Sequence, residues 1–533
     1  MRPSLAALVP ALLACPAALA SWPFLPGVNL AIADRPGDQA VLKMAAASDG
    51  GCWFGWFDNS GGSYAVRVQK VDFFGDETFA HNGLLVSTNP QNTSLIDWDL
   101  NSDGAGGCVA AFTDIRAGGD LDVYAYRIGA NGALLWGANG VTISDNTNFD
   151  ADPRIARLST GDFAVVYSRL VQSGGAAPGL VLQRLDAAGN KQLGADGVVI
   201  AGDGTEAPGF VEITPAESGS FIAVWVRDTR TFSSPRQVFC QKFSAGGAGL
   251  WNGGSPIVLS TNLVPISHRP RLVTDGSGGA VFAWHTTALL AFAQRVSAAG
   301  TVQWPANGLQ VITTAGNLTL DPALTYEPIT GETTIFVRET NSTQSQTGLF
   351  FQRVNASGSR FDADGVAIVP LGAAAVSAPL ASRTLSQHAM LVYSTTAFGT
   401  NDTTVWGSRI QANGTPLWPG QRRQLSPSAG SRFRLRLAPT ANGEVRVGWE
   451  GDTRIDAAGD VYAQNLTPGG TLGACPGDSN NDLFIDFNDL NIVLGSFGQT
   501  GSLLPGDVNG DGEVTFADLN IVLGGFGTSC FFP

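Results

Sequence analysis

The chain has little charge, and basic residues are the scarcer kind. Asp, Glu, Lys and Arg make up 14% of its 533 residues, against about 25% in an average soluble protein. Lys and Arg number 31 against 45 Asp and Glu, which gives a net charge of −14. No basic stretch runs along the sequence, so it lacks the cluster of Lys and Arg with which proteins bind nucleic acids.

Histidine is almost absent as well. The chain contains four, which are His81, His268, His285 and His388. They do not recur at one position of the repeat described below, and no two of them have the spacing of metal ligands. We therefore expect scattered surface or packed histidines rather than a histidine metal centre.

Long helices are not expected, because glycine is abundant. The chain has 67 Gly among 533 residues, nearly twice the usual share of about 7%. Glycine weakens helix interiors, so the composition argues against a helical bundle or coiled coil and favours many short strands joined by tight turns. Hydrophobic residues make up 44% of the chain, which is enough for a sizeable core.

No segment is long and apolar enough to span a membrane, which takes about 20 residues. Residues 1–20 begin with a positive charge at Arg2, continue with an apolar stretch and end in the small-residue cleavage site Ala18-Leu19-Ala20. This pattern predicts a secretory signal peptide. Lipidation at Cys15 is a minor alternative. In either case we expect a secreted, extracellular or cell-surface protein.

Cysteine is also rare. Five cysteines follow the predicted signal peptide, and export would place them in an oxidising compartment. Cys475 and Cys530 flank the acidic C-terminal segment, and we expect them to be bonded to each other. Cys52 and Cys108 hold equivalent repeat positions and could be either paired or buried as thiols. Cys240 is left over, and a buried free thiol is the simpler interpretation.

The long central part of the chain is an eightfold repeat. A short apolar run ending in an aromatic residue recurs every 52 to 59 residues. We call these aromatic residues the anchors; they are Trp56, Phe112, Tyr167, Trp225, Trp284, Phe336, Tyr393 and Trp449. A second strand-like element follows each anchor with the same period, centred on Gln69, Tyr126, Gln183, Gln241, Gln294, Gln352, Ser408 and Gln464. Two independent elements in eight copies establish the repeat.

Each repeat has the pattern of four short strands. The strands alternate with period two, and Asn-Gly or Asp-Gly pairs supply the positive φ of tight turns. About 56 residues and four strands per unit predict a mainly β fold, an eight-bladed β-propeller over residues 21–474. Residues 26–34 look like an isolated fourth strand that closes the last blade. A tandem array of β-sandwiches is the alternative, but it leaves that strand unexplained.

The repeat body offers few catalytic residues. Arginines that follow the anchors could ring one face and contact an anion, but we favour pairing with nearby acids; they are Arg116, Arg169, Arg227, Arg338 and Arg454. Tryptophans that share one repeat position suit packing between blades better than sugar stacking; they are Trp136, Trp251, Trp304 and Trp418. Loop acids near the blade rims would be the first candidates in an enzyme; they are Asp58, Asp114, Asp228, Glu339 and Glu450.

One stretch within the repeats resembles the start of a calcium loop. Asp99, Asn101 and Asp103 are followed by Gly104, but Ala110 stands at the twelfth position, where calcium loops carry an acid. The stretch aligns with the hairpin of other repeats, so we favour a hairpin here.

The C-terminal segment, residues 475–533, contains eight Asp and Glu and no Lys, Arg or His. It holds a duplicated loop followed by the identical helix sequence DLNIVLG, at 489–495 and 518–524. The two loops place oxygen donors at positions 1, 3, 5, 9 and 12, as calcium loops do. The first set is Asp478, Asn480, Asp482, Asp486 and Asp489; the second is Asp507, Asn509, Asp511, Thr515 and Asp518. At position 7, Phe484 and Glu513 would each contribute a backbone carbonyl, so we predict two Ca²⁺ ions.

This duplicated loop and helix resembles the type I dockerin domain. The resemblance implies that each loop binds calcium and that the pair docks onto a cohesin domain of a scaffold or surface protein. It also implies a frequent association with polysaccharide degradation. Cohesin-contacting members carry Ser-Thr at loop positions 10 and 11, where this chain has Phe487-Asn488 and Phe516-Ala517.

Three functional hypotheses follow. In the first, a secreted propeller displays a binding surface, and the calcium-folded module anchors it to a cohesin-like or cell-surface partner. In the second, the propeller is a polysaccharide-degrading glycoside hydrolase or lyase. Hydrolysis would require two or three carboxylates about 5–10 Å apart in the central cleft. In the third, the chain is a cell-surface structural protein whose C-terminal module packs on its own propeller.

Overall fold

The described residues form a mainly β protein of eight sheets and two short α-helices. The computed structural model describes residues 22–91, 97–117, 120–170, 178–202, 208–228, 235–314, 316–418, 420–452, 458–480 and 484–529. Six sheets consist of four consecutive antiparallel strands, and a seventh has five strands. The eighth combines the first strand with the last three. This is the eight-bladed propeller that the repeat predicts, and the β-sandwich alternative is wrong.

The strands of the first four blades have the following bounds. They are β2 Gln39–Ala46, β3 Cys52–Asp58, β4 Tyr64–Val71 and β5 Leu84–Gln91 in blade 1; β6 Asp99–Ser102, β7 Cys108–Asp114, β8 Asp122–Ile128 and β9 Val141–Thr142 in blade 2; β10 Phe149–Arg157, β11 Phe163–Leu170, β12 Gly179–Leu185 and β13 Val198–Ala201 in blade 3; and β14 Gly209–Pro215, β15 Phe221–Arg227, β16 Gln237–Phe243 and β17 Ile257–Ser260 in blade 4.

The remaining blades follow the same order, except that two short strands of blade 7 share the inner edge. The strands are β18 Arg271–Thr274, β19 Ala280–His285, β20 Ala291–Val296 and β21 Leu309–Gln310 in blade 5; β22 Asn317–Glu327, β23 Glu332–Asn341, β24 Thr347–Val354 and β25 Val366–Gly372 in blade 6; β26 Ala375–Val376, β27 Leu380–Thr384, β28 His388–Thr396, β29 Thr403–Ile410 and β30 Arg423–Gln424 in blade 7; and β31 Arg432–Pro439, β32 Val445–Gly451, β33 Asp460–Leu466 and β1 Leu30–Ala33 in blade 8.

The ring is closed by the N-terminal strand. β1 pairs antiparallel with β33, and Leu30 lies opposite Ala463. The innermost strands of successive blades are neighbours all the way round, and β31 of blade 8 contacts β2 of blade 1. We call this junction of blades 8 and 1 the seam. The chain crosses this seam between β1 and β2, so the pairing of β1 with β33 inside blade 8, together with side-chain packing, holds the ring closed.

The core lies between adjacent blades. Each repeat-phased tryptophan is buried and donates its indole N–H to a backbone carbonyl of the next blade. The N···O distances are 3.2 Å for Trp136 to Ala187, 3.0 Å for Trp251 to Ala298, 3.2 Å for Trp304 to Ala356 and 3.0 Å for Trp418 to Pro468. A buried indole needs such a partner. The packing prediction for these tryptophans is therefore confirmed.

The glutamine that recurs in six of the eight repeats stabilises the turn into the outer strand, as Gln241 illustrates. Gln241 is buried, and its Oε1 accepts from the backbone N–H groups of Lys242 and Trp251. Its amide N–H₂ donates to carbonyls of the same turn, at Trp251 and Ser255. One side chain thus satisfies four backbone groups that the turn would otherwise leave unpaired.

The three cysteines of the propeller are free and buried thiols. Cys52 and Cys108 are not bonded to each other, and Cys240 lies in β16 as expected. Burial raises the pKa of each of these thiols. Cys530 lies outside the described residues, so its bond to Cys475 stays a prediction. The predicted signal peptide, with Cys15, lies outside them too.

The C-terminal segment contains two α-helices, α1 Phe487–Ser496 and α2 Phe516–Gly525. Both begin two residues before the repeated Asp-Leu-Asn, because a capping box forms there. Asp486 and Thr515 are the N-cap residues, and the Asp three residues later returns the hydrogen bond. The helices share a small core with the loops, built on Ile485, Val493, Val508, Val514 and Val522. None of the helices in the described part of the chain has the length and apolar character of a membrane span.

Candidate functional site

One position of the innermost strand points to the propeller axis in every blade. It lies thirteen residues before each anchor, and its occupants are Lys43, Asp99, Arg154, Glu212, Arg271, Ala323, Leu380 and Arg436. All eight line one cavity of about 590 Å³. Six of them are ionisable, although charged side chains are rare in this chain. We call this cavity the central cavity.

A repeated backbone irregularity presents these side chains. In five blades the pairing of the innermost strand shifts just before this position. The residue two places earlier has positive φ; these are Val41 (56°), Asp152 (57°), Phe210 (54°), Asp321 (51°) and Arg434 (48°). Such a conformation is unfavourable for Val and Phe, and strain of this kind is concentrated at functional sites. The bulge redirects the next side chains, here towards the axis.

Most of the charges in the central cavity belong to a balanced network around Asp97. One carboxylate oxygen of Asp97 lies 2.7 Å from Lys43 Nζ, and the other lies 2.6 Å from Arg154 and 3.0 Å from Arg269. Burial alone would raise the pKa of Asp97, but these three cations outweigh it and hold that pKa below its ordinary value. Asp97 is therefore ionised.

Two further acids complete the network. Arg154 and Arg269 both contact Glu212, at 3.3 and 3.2 Å, and both contact Asp152, at 3.5 and 2.6 Å. Burial would raise the pKa of Glu212, but the arginines lower it overall. Three cations and three carboxylates thus neutralise one another, and this network binds no external ion without first being broken.

Two cations are left over. Among the described residues, Arg271 and Arg436 have no carboxylate within the 4.0 Å of an ion pair. Arg271 is exposed to solvent, and Arg436 is half-buried beside the cavity. Asp99 lines the same cavity, and burial raises the pKa of its carboxyl. In a chain of net charge −14, this cavity carries a local surplus of positive charge that suits an anionic ligand.

Lys43 differs from these arginines because it can lose its proton. Burial, opposed by Asp97 and assisted by Arg154 and Arg436, lowers the pKa of Lys43 to about 8. A lysine held in this way is a usual form of general base. A lysine whose pKa is lowered, in a cleft lined by other charged side chains, is a candidate functional group.

A smaller cavity of about 300 Å³ adjoins the central one and shares Arg269 and Arg271 with it. His268 and His285 line it, with ring centroids 4.3 Å apart. Burial lowers the pKa of both, to about 3 for His268. The Nε2 of His268 accepts from the His285 backbone N–H, and the Nδ1 of His285 accepts from the Asp321 backbone N–H. Both lone pairs are therefore occupied, and these neutral rings can only donate. They are packed residues, as expected, and neither is a ready base.

The five acids predicted from the sequence do not line the central cavity. Asp58 lies 3.3 Å from Arg67, and Asp114 and Asp228 pair with Arg116 and Arg236. Glu339 accepts from the Asn317 amide. Glu450 lies nearest the axis, where it accepts from the Leu42 backbone N–H and pairs with Arg434. They occur one to a blade and do not form the group that hydrolysis requires.

The arginines that follow the anchors also make local contacts. Arg116 pairs with Asp114, Arg169 lies 3.3 Å from Asp150, and Arg338 lies 2.7 Å from Asp321. The Arg227 guanidinium lies over the Phe239 ring, 5.5 Å from its centroid, and Asp228 pairs with Arg236. Arg454 lies outside the described residues. For Arg116, Arg169 and Arg338, the expected pairing is confirmed.

The stretch around Asp99 is a hairpin strand, as favoured. Asn101 and Asp99 hydrogen-bond to each other and to Ile155, whereas Asp103 pairs with Arg127 at 2.9 Å. The side-chain oxygens of Asp99, Asn101 and Asp103 therefore do not converge on one point, as calcium ligands would.

The second C-terminal loop folds around its own carboxylates. Asp507 accepts from the backbone N–H groups of Gly510, Asp511 and Gly512. Asp518 accepts from those of Val508, Asn509 and Thr515. Burial and the nearby Asp511 and Asp518 raise the pKa of Asp507 to about 7. This is a hard-oxygen donor set under mutual repulsion, and its chemistry fits a calcium ion. In the described part of the chain, however, no three His, Cys, Asp or Glu side chains are grouped closely enough to hold a metal.

The first loop repeats this arrangement where it is described. Asp489 accepts from the Ser479 hydroxyl and from the backbone N–H groups of Asn480 and Asp486. Asp482 lies outside the described residues. The position 7 residues take part in short bridges, Phe484 with Ser529 and Glu513 with Thr500. Calcium binding at Asp478, Asn480, Asp482, Phe484, Asp486 and Asp489, and at Asp507, Asn509, Asp511, Glu513, Thr515 and Asp518, stays a prediction.

The central cavity was not predicted from the sequence. The sequence does contain a pattern that indicates it: the residue thirteen places before the anchor is ionisable in six of the eight repeats. The sequence instead predicts the rim acids as candidates, because they follow the aromatic anchors directly or within three residues. Asp97, Asp152 and Arg269 share a second repeat position, fifteen residues before their anchors, but only the fold shows that their side chains meet.

Comparisons with known proteins show likeness of fold only. No protein-family model matches the chain, and no curated protein matches it either. Solved structures do match. One is a polysaccharide lyase described as an ulvan lyase bound to -[GlcA(1-4)Rha3S]-, with 9% identity over 82% of this chain and 94% of that chain and a TM-score of 0.44. Another is an α-L-arabinanase of Penicillium chrysogenum complexed with arabinobiose, with 14% identity over 72% and 98% and a TM-score of 0.35. A third is a protein of unknown function from Dyadobacter fermentans, with 9% identity over 83% and 99% and a TM-score of 0.38. At such identities the likeness bears on the fold alone.

Proposed function

We propose that this protein is an exported propeller whose central cavity binds an acidic polysaccharide and cleaves it by β-elimination. The observation that carries the proposal is the pair of guanidinium groups, Arg271 and Arg436, that have no carboxylate within 4.0 Å among the described residues and line the same cavity as Lys43. A binding body without catalysis and a glycoside hydrolase are the competing functions.

The arginines supply the first requirement of the reaction. Guanidinium groups bind carboxylates well, and Arg271 and Arg436 have no acid to displace. A cation on the carboxylate of a uronic acid withdraws charge from the ring, so that the proton on C5 becomes more acidic. The same cations stabilise the negative charge that develops as this proton leaves.

Lys43 supplies the second requirement. Its neutral amine accepts the C5 proton, and the electron pair of the C5–H bond forms a C4=C5 double bond. The bond from C4 to the glycosidic oxygen breaks, and that oxygen takes a proton from water. The products are a chain with an unsaturated uronate at its non-reducing end and a chain with a new reducing end.

The charge distribution favours elimination over hydrolysis. Glycoside hydrolysis needs one protonated carboxyl and a second carboxylate free to act as a nucleophile or base. Asp97 and Glu212 are both bound by cations. Asp99 Oδ2 accepts from the Ile155 N–H and the Asn101 amide, so none of these three carboxylates of the cavity is free for that role. An amine of lowered pKa in one cavity with two arginines that have no carboxylate partner among the described residues suits proton abstraction beside a bound carboxylate.

The test uses the mature chain, residues 21–533, with polygalacturonate, alginate and a glucuronate polysaccharide as probes. We expect ultraviolet absorbance from the conjugated double bond to rise with at least one of them. Lys43→Arg is the matched variant, because it keeps a cation beside Asp97 but cannot lose its proton at neutral pH. It should bind the polymer and not cleave it.

Each alternative gives a distinct result. New reducing ends without ultraviolet absorbance would indicate hydrolysis. Binding without cleavage by the wild-type protein on every probe would favour the binding body. Equal cleavage by wild type and Lys43→Arg would remove Lys43 as the base.

We also propose that the two C-terminal loops bind Ca²⁺ through the two donor sets given above. The ion would supply a charge that cancels the repulsion among Asp507, Asp511 and Asp518. Calcium titration of the full chain by calorimetry, with Asp511→Asn as the variant, tests the second site. Docking to a cohesin-like partner stays a prediction.

A further inference from the structure

The second C-terminal loop lies against the propeller. The Leu503 N–H donates to the carbonyl of Ala441 at 2.5 Å. A side chain at Gly50 would collide with the carbonyl oxygen of Asn509. At Gly510, an added methyl group would lie 3.4 Å from the Asn442 side-chain oxygen. At Gly50, backbone therefore meets backbone with no space for a side chain, and at Gly510 the loop is in van der Waals contact with the propeller.

These contacts fall on both sides of the seam. Gly50 is in the hairpin between β2 and β3 of blade 1, and Ala441 and Asn442 are in the hairpin between β31 and β32 of blade 8. A small cavity between module and propeller is lined by residues of both, including Leu385, Glu444, Leu504 and Pro505. The module follows β33, the strand of blade 8 with which the ring-closing β1 pairs.

The strand that closes the ring is short. β1 has four residues, and its register with β33 is interrupted between Ala31 and Ala33. A second attachment across the same junction would therefore add to the stability of closure, since opening the seam would require the module to leave both hairpins.

We propose that the second loop, residues 507–518, is an intramolecular clamp that holds blades 1 and 8 together, and that a calcium ion in this loop tightens the clamp. The inference rests on the calcium proposal and is independent of the proposed reaction in the central cavity. Because Asn509 and Gly510 lie among the loop donors and also touch the propeller, the loop conformation that binds the ion is the one that docks. Binding and docking are then linked, and each strengthens the other by the same factor.

The linkage also restricts what the module does for outside partners. With the loop face on the propeller, the helix faces remain uncovered, and these carry the exposed Phe487, Leu494, Phe516 and Leu523. The clamp therefore explains why the loop face is covered, and it assigns no role to the exposed helix faces.

The test compares two hairpin glycines in the full mature chain. Gly50 has φ +79° and touches the loop; Gly161 has φ +92° in the corresponding hairpin of blade 3, and its nearest neighbour is an Arg157 nitrogen at 3.8 Å. Gly50→Ala and Gly161→Ala therefore introduce similar backbone strain, but only the first disturbs the clamp. Calcium affinity is measured by calorimetry, and the Tm of the propeller is measured with calcium and with chelator.

We expect calcium to raise the Tm of the wild type and of Gly161→Ala by the same amount. In Gly50→Ala this increase should be lost, and the affinity of one calcium site should fall by about 5–150-fold, the usual range of such coupling. An unchanged calcium-induced increase in Gly50→Ala would overturn the clamp. If calcium binds the wild type but leaves the propeller Tm unaltered, the linkage is wrong while calcium binding stands. No calcium binding at all would overturn the calcium proposal and the clamp with it.

Discussion

Arg269 and Arg271 lie two residues apart, and their guanidinium groups have opposite surroundings. Arg269 contacts Asp97, Asp152 and Glu212 within 3.2 Å. Arg271 meets no carboxylate within 4.0 Å in the part of the chain that the structure describes. The first arginine is a component of the fold, and the second is available to a ligand. In the central cavity, Arg269 therefore contributes to folding stability and Arg271 to ligand binding.

The two kinds of arginine should respond differently to substitution. Arg154, like Arg269, is bound in the network and is 3% exposed. Arg154→Gln removes one of the two arginines that contact Asp97, Asp152 and Glu212, so we expect a loss of about 1–3 kcal/mol of unfolding free energy. Arg271→Gln should change the unfolding free energy by no more than about 0.5 kcal/mol, yet weaken binding of a uronate polymer. Urea denaturation and calorimetry measure the two quantities. Normal binding by Arg271→Gln would contradict the assignment.

The pH dependence of cleavage should report on Lys43. The amine acts only when neutral, and its pKa is lowered to about 8, so the rate should rise with pH up to about 8 and level off above it. The charged groups that act on this amine are Asp97 and Asp99, which raise its pKa, and Arg154 and Arg436, which lower it. Arg436→Gln should therefore shift the rise to higher pH. Initial rates from pH 6 to 10 test this, and a rate that falls over that range would exclude Lys43 as the base.

Sequence and structure agree where the repeat carries the information. The period of the anchors and the isolated strand at 26–34 predict eight blades and their closure, because strand alternation and turn residues are local properties. The repeat-phased tryptophans could likewise be assigned to packing. The site could not be predicted, since its geometry comes from bulges at Val41, Asp152 and their equivalents. Sequence gives no signal for a valine with positive φ.

His81 should make closure sensitive to pH. Its Nε2 lies 2.9 Å from Asp34, the residue after β1, and its Nδ1 lies 3.1 Å from Glu77. Its hydrogen bonds to these acids, opposed by burial, raise the pKa of His81 to about 9. The stabilisation is therefore fully present below about pH 6.5 and is lost as the pH rises through about 9. Since the side chain is 44% exposed, we expect less than about 1 kcal/mol.

The measurement for His81 is the difference in Tm between wild type and His81→Gln. It should be largest at pH 6 and close to zero at pH 10. His388→Gln is the control, because burial lowers the pKa of His388 and no acid pairs with it among the described residues. A His81 difference that is the same at both pH values would show that the effect is steric.

Trp251 distinguishes packing from sugar stacking. It is 1% exposed, lies against Gly300 of the next blade and donates to the Ala298 carbonyl. Trp251→Ala removes an indole from the junction of two blades, so the unfolding free energy should fall by about 3–5 kcal/mol. Phe398→Ala is the control, because Phe398 is 84% exposed and its loss should cost no more than about 0.5 kcal/mol. Urea denaturation gives both values. If Trp251→Ala kept its stability and lost polysaccharide binding, the indole would be a ligand contact, and the ring of tryptophans would have to be regarded as a binding surface.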